Sequence, residues 1–450
     1  VDAVSNIFKA YDVRGKVGSE LNAEVAQNIG KAFGDWLPEQ GPVAVGRDMR
    51  PDSAELAVAL IAGLNAQGRD VIDIGEVTSD MIYYAVGFNN LAGGAMVTAS
   101  HNPGIYNGIK LCREGARPVG QDTGLFEVRD AVIAQEFKTI DKLGTIESRD
   151  ITEGWITHTL SFIDTAKLKD LHIAVDAGNG MAGKIFPELE PYVPWEVEEM
   201  YFELDGTFPN HEANPLKFET LADLIERIKT QKLDGGIAFD GDGDRAFLVD
   251  ETGAVVPGNA MNAMLAEYFL DLHPGSAILY DLRSSQVVPE VISAKGGKPI
   301  RTRVGHSFIK QVMREQNAPF GGELSGHFYF RDNYFADSGL IAAVIGLYVA
   351  GLSGKSLSQL REQYSKYPNI AETNFEVADK AAVFERLKSA FKDHEQDELD
   401  GLSVVLDNGS WFNVRASNTE PVIRLNAEAK SQAELDKLVA QVTEIITQDV

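Results

Sequence analysis

The feature that most restricts the fold of this chain is an order of elements that recurs three times. An apolar strand leads through a polar or glycine-bearing turn into an amphipathic helix and then a second strand. Residues 42–46 (PVAVG) run through Arg47-Asp48-Met49-Arg50-Pro51 into a helical pattern over 53–67 and on to 70–75 (DVIDIG). Residues 171–175 (LHIAV) pass through Asp176-Ala177-Gly178-Asn179-Gly180 and a short helix to 195–200 (WEVEEM). Residues 277–280 (AILY), a helix over 286–295 and residues 299–304 (PIRTRV) form the third unit. Strands alternating with helical periods give parallel or mixed sheets, so the chain reads as α/β with three such domains. The three share little sequence, which favours common architecture over common origin.

The helix predictions rest on periodicity. Leu56, Ala57, Leu60, Ile61 and Leu64 recur at three- and four-residue steps behind Ser53, a capping candidate. Leu221, Leu224, Ile225 and Ile228 do the same ahead of Gly235-Gly236. From residue 369 the texture changes. A strand over 371–377, a helix over 380–391, an acidic run over 393–400, two strands around Asn408-Gly409 and a last helix over 432–447 are expected. This predicts a smaller α+β domain of about 80 residues. Polar or turn-forming stretches at 142–150, 251–253 and 367–369 set the expected domains at 1–150, 151–252, 253–367 and 368–450.

Composition removes some functions. The 67 acidic residues against 41 basic ones leave a net charge of −26, opposite to what nucleic acid or a polybasic membrane anchor requires. A hydrophobic content of 44% is ordinary for folded protein, so the acidity does not mean disorder. No apolar stretch approaches the ~20 residues of a helical membrane span. Val1-Asp2-Ala3-Val4-Ser5 lacks the basic and apolar regions of a signal peptide. The single cysteine, Cys112, cannot form an internal disulfide and reads as a buried, inert thiol. A cytoplasmic monomer is the expectation.

Four loops could carry chemistry. Asp240-Gly241-Asp242-Gly243-Asp244-Arg245 lies between the strands 236–239 and 246–249. Three carboxylates in five residues repel one another, two glycines permit tight curling, and a hard dication such as Mg²⁺ or Ca²⁺ resolves the repulsion. An EF-hand fails here, because Arg245 stands where the sharp turn needs glycine and strands replace the helices. Thr98-Ala99-Ser100-His101-Asn102-Pro103 ends the strand 94–97 and presents one hydroxyl. Alone it fits a Ser/Asn-stabilised turn as well as a nucleophile loop, and no G-x-S-x-G elbow is present. Gly321-Gly322-Glu323-Leu324-Ser325-Gly326-His327 would turn Glu323 and Ser325 to one side if extended, which suits vicinal sugar hydroxyls. A glycine-rich hairpin explains it equally well. Arg415-Ala416-Ser417-Asn418-Thr419-Glu420-Pro421 combines a guanidinium with short donors, a recipe for phosphate. Strand alternation is expected to set Arg424 on the opposite face.

Taken in order, these loops resemble those of the α-D-phosphohexomutase family, and most closely its bacterial phosphomannomutase/phosphoglucomutase group. Phe8-Lys9-Ala10-Tyr11-Asp12-Val13-Arg14-Gly15 and Gly305-His306-Ser307 match as well, so the similarity runs from residue 7 to about residue 425. The resemblance implies a four-domain, heart-shaped architecture, three mixed α/β-sheet domains plus a smaller C-terminal α+β domain, with one active loop from each around a central cleft. It implies that Ser100 carries a phosphoryl group and that Ser100, Asp240, Asp242 and Asp244 hold Mg²⁺. It places Ser100, His101, Lys110, Arg245 and His306 in the reaction, with Lys110 and His306 as acid/base candidates. Tyr11, Arg14, Arg283 and His306 would contact substrate. Glu323 and Ser325 would read sugar hydroxyls with His327 beside them, and Arg415, Ser417, Asn418 and Thr419 would hold the non-reacting phosphate. Arg283 stands where the group often has lysine, and the two cations differ in hydrogen-bond geometry.

The implied reaction interconverts hexose 6-phosphate and hexose 1-phosphate, with glucose 1,6-bisphosphate or mannose 1,6-bisphosphate as activator and reorienting intermediate. Leu324, where phosphoglucosamine mutases tend to be polar, favours mannose and then glucose. The alternatives are a dedicated phosphoglucomutase, a phosphoglucosamine mutase, or a phosphosugar-binding protein without turnover. Neither nucleic acid nor membrane is an expected partner. A further expectation concerns charge: Arg14, Lys110, Arg245, Arg283 and Arg415 would gather with Mg²⁺ while the acidity stays outside.

Overall fold

The computed structural model describes residues 2–417 and 422–448. They divide into two compact units, one running to Val256 and including Ser325–Ser358, the other made of Pro257–Leu324 and the chain from Gln359 onward. In the first unit one sheet places Val43–Arg47 between Val71–Glu76 and Gly93–Val97, parallel to both. Gly93–Val97 then pairs antiparallel with Tyr106–Arg113, which in turn pairs with Val13–Lys16. A second sheet sets Leu171–Asp176 parallel to Trp195–Met200 and to Gly235–Phe239, and Ala246–Asp250 folds back on the last as a hairpin. Both sheets are mixed, as the recurring strand–helix–strand order predicts.

The central strands are buried on both faces, so they read as continuous apolar runs instead of alternating ones. Cys112 lies inside this core, as expected. The helix Gly339–Ser353 is apolar all round because it too is enclosed. Ser338 caps it by accepting the N–H of Ile341 at 3.1 Å. No single helix among the described residues is long and apolar enough to cross a membrane.

In the second unit Ala277–Asp281 runs parallel to Lys298–Thr302 and Phe320–Gly322. The chain beyond residue 372 forms an antiparallel sheet in the order Thr373–Glu376, Val422–Glu428, Trp411–Ala416, Leu402–Val405, Glu395–Asp397. The helices Lys380–Ala390 and Gln432–Ile446 cover it, capped by Asp379 and Ser431. The acidic run 393–400 contains a strand that charge conceals. Glu395–Asp397 is an edge strand, where acidic residues remain solvated and discourage pairing with other chains. Ser53 is also corrected. The cap position of its helix is Asp52, and the Ser53 hydroxyl donates to Asp48 instead.

The helices Ala23–Trp36 and Ser53–Ala66 cross at backbone contact. A Cβ on Gly63 would lie 2.1 Å from the Gln27 carbonyl oxygen, and one on Gly30 would lie 2.2 Å from that of Leu60. Main chain cannot rotate aside as a side chain can. Gly63→Ala is therefore expected to destabilise the protein by about 1–3 kcal/mol, although alanine is the better helix former. Urea unfolding checks this, and a stabilised variant would contradict the packing.

Candidate functional site

Two loops meet at the carboxyl ends of parallel strands, where open α/β sheets bind ligands. Gly93–Val97 delivers Ser100, and Gly235–Phe239 delivers Asp240, Asp242 and Asp244. Ser100 is buried with φ of 50°, a left-handed conformation that non-glycine residues seldom adopt. Its Oγ donates to Asp240 Oδ2 at 2.9 Å. Gly241 allows the loops to approach, since a Cβ there would lie 2.5 Å from the Ser100 carbonyl oxygen. Gly243, at φ of 73°, turns the acidic loop. Gly243 thus permits the tight curl that the sequence suggests, whereas Gly241 serves the approach of a second loop.

The acidic side chains are buried, and one oxygen from each of the three lies within 4.8 Å of the others. Lys110 Nζ bridges Asp242 Oδ2 and Asp244 Oδ2, at 2.6 Å each. Arg245 donates from Nε to Asp240 Oδ2 at 3.0 Å. Two cations thus face three carboxylates, so one negative charge is left over in a site where burial makes that costly. Asp242 Oδ1 and Asp244 Oδ1 are buried without a hydrogen-bond partner. Closely spaced carboxylate oxygens with unused lone pairs are the donor set a small hard dication takes. The residues present therefore fit Mg²⁺.

This crowding splits the acidities. Burial, then Asp244, pushes Asp240 well above the usual carboxylate range. Burial acts the same way on Asp242, but Lys110 outweighs it and brings that group below its ordinary value. Burial would lower Lys110, yet Asp242 and Asp244 hold it well above the usual lysine range. Lys110 is accordingly protonated. His101 has its Nδ1 3.2 Å from Ser100 Oγ, and the same nitrogen accepts from Arg245 Nη2 at 2.5 Å. Burial, then Arg245, keeps this imidazole neutral. Arg14 donates to the Ala99 carbonyl at 2.8 Å and to Asn102 Oδ1, so it grips the serine loop. Tyr11 lies in the bend before Val13–Lys16. His327 Nε2 is 4.0 Å from Asp244 Oδ1, and Ser325 Oγ is 3.2 Å from His327 Nδ1.

The second unit holds the other candidates. Arg283 donates to Asp281 Oδ2 at 2.7 Å. Glu323 accepts the Gly305 N–H at 3.0 Å, beside His306, which opens the helix His306–Gln316. Leu324 and Ser325 lie in a turn, so the segment is not extended as the shared orientation of Glu323 and Ser325 requires. Arg415 is buried at the end of its strand, with Ser417 next to it. Asn418 and Thr419 fall outside the described residues. Arg424 is a correction. It pairs directly with Arg415 across the antiparallel ladder, which puts both side chains on one face. Glu372 lies 2.9 Å from Arg415, 3.4 Å from Arg424 and 3.8 Å from Arg283.

Sequence reasoning missed Glu372, Ser79 and Asp80. Ser79 donates from Oγ to Asp242 Oδ2 at 2.5 Å and from its N–H to the Asp242 carbonyl at 2.9 Å. The Thr-Ser-Asp run before an apolar helix was the available signal, a helix-start pattern that says nothing of a remote partner. Glu372 stands in a polar stretch with no motif.

Asp80 is fully buried, accepting from Thr78 and, at 2.6 Å, from Ser338. Burial raises its pKa to about 7, reinforced by Asp244 and Asp337 and opposed by those two hydroxyls. The folded protein thus keeps a proton that the unfolded chain releases near pH 4, and stability falls as pH rises from about 4 through about 7. Asp80→Asn cannot ionise. In metal-free protein its Tm relative to wild type should rise by about 2–4 °C between about pH 5 and about pH 8. Scanning calorimetry at the two pH values decides it.

Comparison with known proteins finds the same arrangement along the whole chain. Successive segments match the phosphoglucomutase/phosphomannomutase alpha/beta/alpha domains I, II and III over residues 5–139, 153–253 and 257–367, and the C-terminal domain over 372–445. A Xanthomonas campestris protein named for phosphohexose mutases is 43% identical over 432 residues, covering 95% of this chain and 96% of its own. An Escherichia coli K12 phosphomannomutase is 39% identical over 439 residues, with the same coverage. The crystal structure of a Burkholderia thailandensis phosphoglucomutase/phosphomannomutase family protein superimposes with a TM-score of 0.91 at 31% identity, covering 99% of this chain and 98% of that one.

Proposed function

The chain belongs to the phosphoglucomutase/phosphomannomutase family and is a hexose-phosphate mutase, and from that premise we propose that it interconverts mannose 6-phosphate and mannose 1-phosphate, and the glucose pair more slowly, through phosphorylated Ser100. The observation that carries the proposal is the Ser100 hydroxyl bonded to an acidic loop that still has unpartnered oxygens. Asp240, Asp242 and Asp244 would hold Mg²⁺, which supplies neutralising charge to the transferring phosphoryl group.

Phosphate monoesters resist cleavage, so charge neutralisation and alignment have to lower the barrier. In the first half-reaction the P–Oγ bond of Ser100 breaks and a P–O bond forms to the free hydroxyl of a hexose monophosphate. The hydroxyl proton passes to a base, and the departing Ser100 oxygen takes a proton from an acid, which it returns when Ser100 is rephosphorylated. The 1,6-bisphosphate then turns over, and its other phosphoryl group returns to Ser100. Lys110 is already protonated between two carboxylates, so it can donate or neutralise but not accept. That leaves the acid role to Lys110 and the base role to His306. Arg245 fixes His101 and Asp240, while Tyr11, Arg14 and Arg283 would orient substrate. Glu323, Ser325 and His327 would read hydroxyls common to mannose and glucose, and Arg415 and Ser417, with Asn418 and Thr419, would hold the phosphate that is not reacting. Glucose or mannose 1,6-bisphosphate would recharge Ser100 when the intermediate escapes.

Mannose is favoured because Leu324 offers no polar group for a 2-amino substituent, and because the Escherichia coli relative is named a phosphomannomutase. A reducing cytoplasm completes the proposed reading, in keeping with a single cysteine that is buried as a free thiol.

Intact-mass measurement after incubation with glucose 1,6-bisphosphate tests the phosphoenzyme. One added phosphoryl group is expected on wild type and none on Ser100→Ala, whose turnover should fall at least ~10³-fold, on the order expected when the group carrying the reacting atoms is removed. Equal turnover by the two proteins would overturn the role of Ser100. For specificity, kcat/KM with mannose 1-phosphate should exceed that with glucosamine 1-phosphate by about 10- to 100-fold, with glucose 1-phosphate between them.

A further inference from the structure

The turn after Val43–Arg47 has no part in the chemistry above, yet its arginine reaches the serine loop. Arg50 is 3% exposed and both of its terminal nitrogens are filled. Nη2 donates to the carbonyls of Ser100 at 2.8 Å and Asn102 at 2.6 Å. Nη1 donates to those of Pro103 at 3.1 Å and Tyr106 at 2.9 Å. Asp48 supplies the counter-charge, with Oδ2 3.3 Å from Nε and Oδ1 accepting the Arg50 N–H at 3.0 Å. The ring of Phe208 covers the guanidinium at 5.2 Å. Gly206 leaves no slack, since a Cβ there would lie 2.5 Å from the Arg50 Cα.

Four carbonyls of one loop therefore converge on one cation, which has two effects. The peptide bonds here are trans, so a carbonyl aimed at Arg50 aims the next N–H the other way. The amides of His101 and Gly104 thus point away from the guanidinium. Carbonyl oxygens are the negative ends of their dipoles and would repel a phosphoryl group, and Arg50 holds four of them. The second effect concerns Ser100 itself. Its left-handed backbone is strained and persists only where the surroundings impose it. A bond to its own carbonyl imposes it directly.

We propose that Arg50, braced by Asp48 and Phe208, is a positioning residue for phosphoryl transfer: it holds the loop carbonyls back and fixes Ser100 so that its phosphoryl group meets the sugar in line and not water. This rests on the reading that Ser100 carries the phosphoryl group. Lysine at this position would keep the charge but has three donors on one nitrogen, so it cannot serve four diverging carbonyls.

The test compares wild type, Arg50→Lys and Phe208→Leu as full-length protein charged with glucose 1,6-bisphosphate and counted by phosphorylated site. For Arg50→Lys, kcat per site should fall about 30- to 300-fold, the scale of a misplacement near 1 Å. KM for mannose 1-phosphate should stay within about threefold, since substrate contacts are untouched. The fraction of phosphoryl lost to water should rise about tenfold. Phe208→Leu should show the same split at about three- to tenfold in kcat. An unchanged kcat per site and an unchanged partition to water in Arg50→Lys overturn the positioning role. Fewer chargeable sites, each turning over normally, also overturn it, because that is the mark of a merely structural arginine. If Arg50→Lys does not fold, Phe208→Leu decides by the same partition, and no change there overturns the proposal. A wild type that takes up no phosphoryl group overturns the Ser100 reading instead, a result that no variant is needed to see.

Discussion

The carboxylates of Asp240, Asp242 and Asp244 share one short hairpin loop with too little positive charge to balance them, and the surrounding structure is arranged around that shortage. Lys110 comes from the neighbouring sheet to span two of them, Arg245 folds back onto the first, and Ser79 reaches Asp242 from a helix start. Ser100 donates a hydrogen bond from its hydroxyl to Asp240. Phosphorylation of Ser100, as proposed, would remove that donor and add about two negative charges. The loaded site then needs more positive charge than the free one. A dication meets that need where a further buried lysine or arginine could not, because it adds two charges in the volume of one atom.

What the sequence revealed follows from how local each signal is. Gly241 is needed for the close approach of the remote Ser100 carbonyl, but Gly243 takes φ of 73° within its own loop, so its place between carboxylates marked that loop directly. Strand and helix order marked the sheets for the same reason. Arg424 was misjudged because strand alternation describes one chain segment. Its face is set instead by register with Arg415 on the neighbouring strand. Glu372 and Asp80 owe their significance to groups far along the chain, and neither position carries a pattern. The strand Glu395–Asp397 was hidden because an edge strand is free to be acidic, and only the ladder reveals it.

The bulk charge of −26 and an anionic substrate are compatible because the two act at different distances. Exposed acidic groups are screened over about 8–10 Å at physiological salt. Inside the first unit, Arg14, Lys110 and Arg245 lie with the serine and acidic loops, shielded from solvent and bonded at hydrogen-bond range. In the second unit Arg283 and Arg415 share Glu372, whose pKa stays below the usual range because these arginines outweigh its burial. An ionised carboxylate held by guanidinium groups shows that this face stabilises an anion.

The serine loop divides its labour between main chain and side chain. Arg50 and Arg14 bind carbonyls, and Gly241 makes room for one. Most of these bonds go to main chain, and only Asn102 among the loop side chains is held by Arg14, so the path of the loop is fixed without using the Ser100 hydroxyl. The cost is a left-handed serine, a conformation that local sequence alone would not choose. Because that conformation is imposed from the turn at residues 47–51, the geometry at Ser100 depends on residues about fifty positions upstream. A phosphorylated Ser100 held in this way, as proposed, would resist relaxation toward water, which is what a mutase requires and a phosphatase does not.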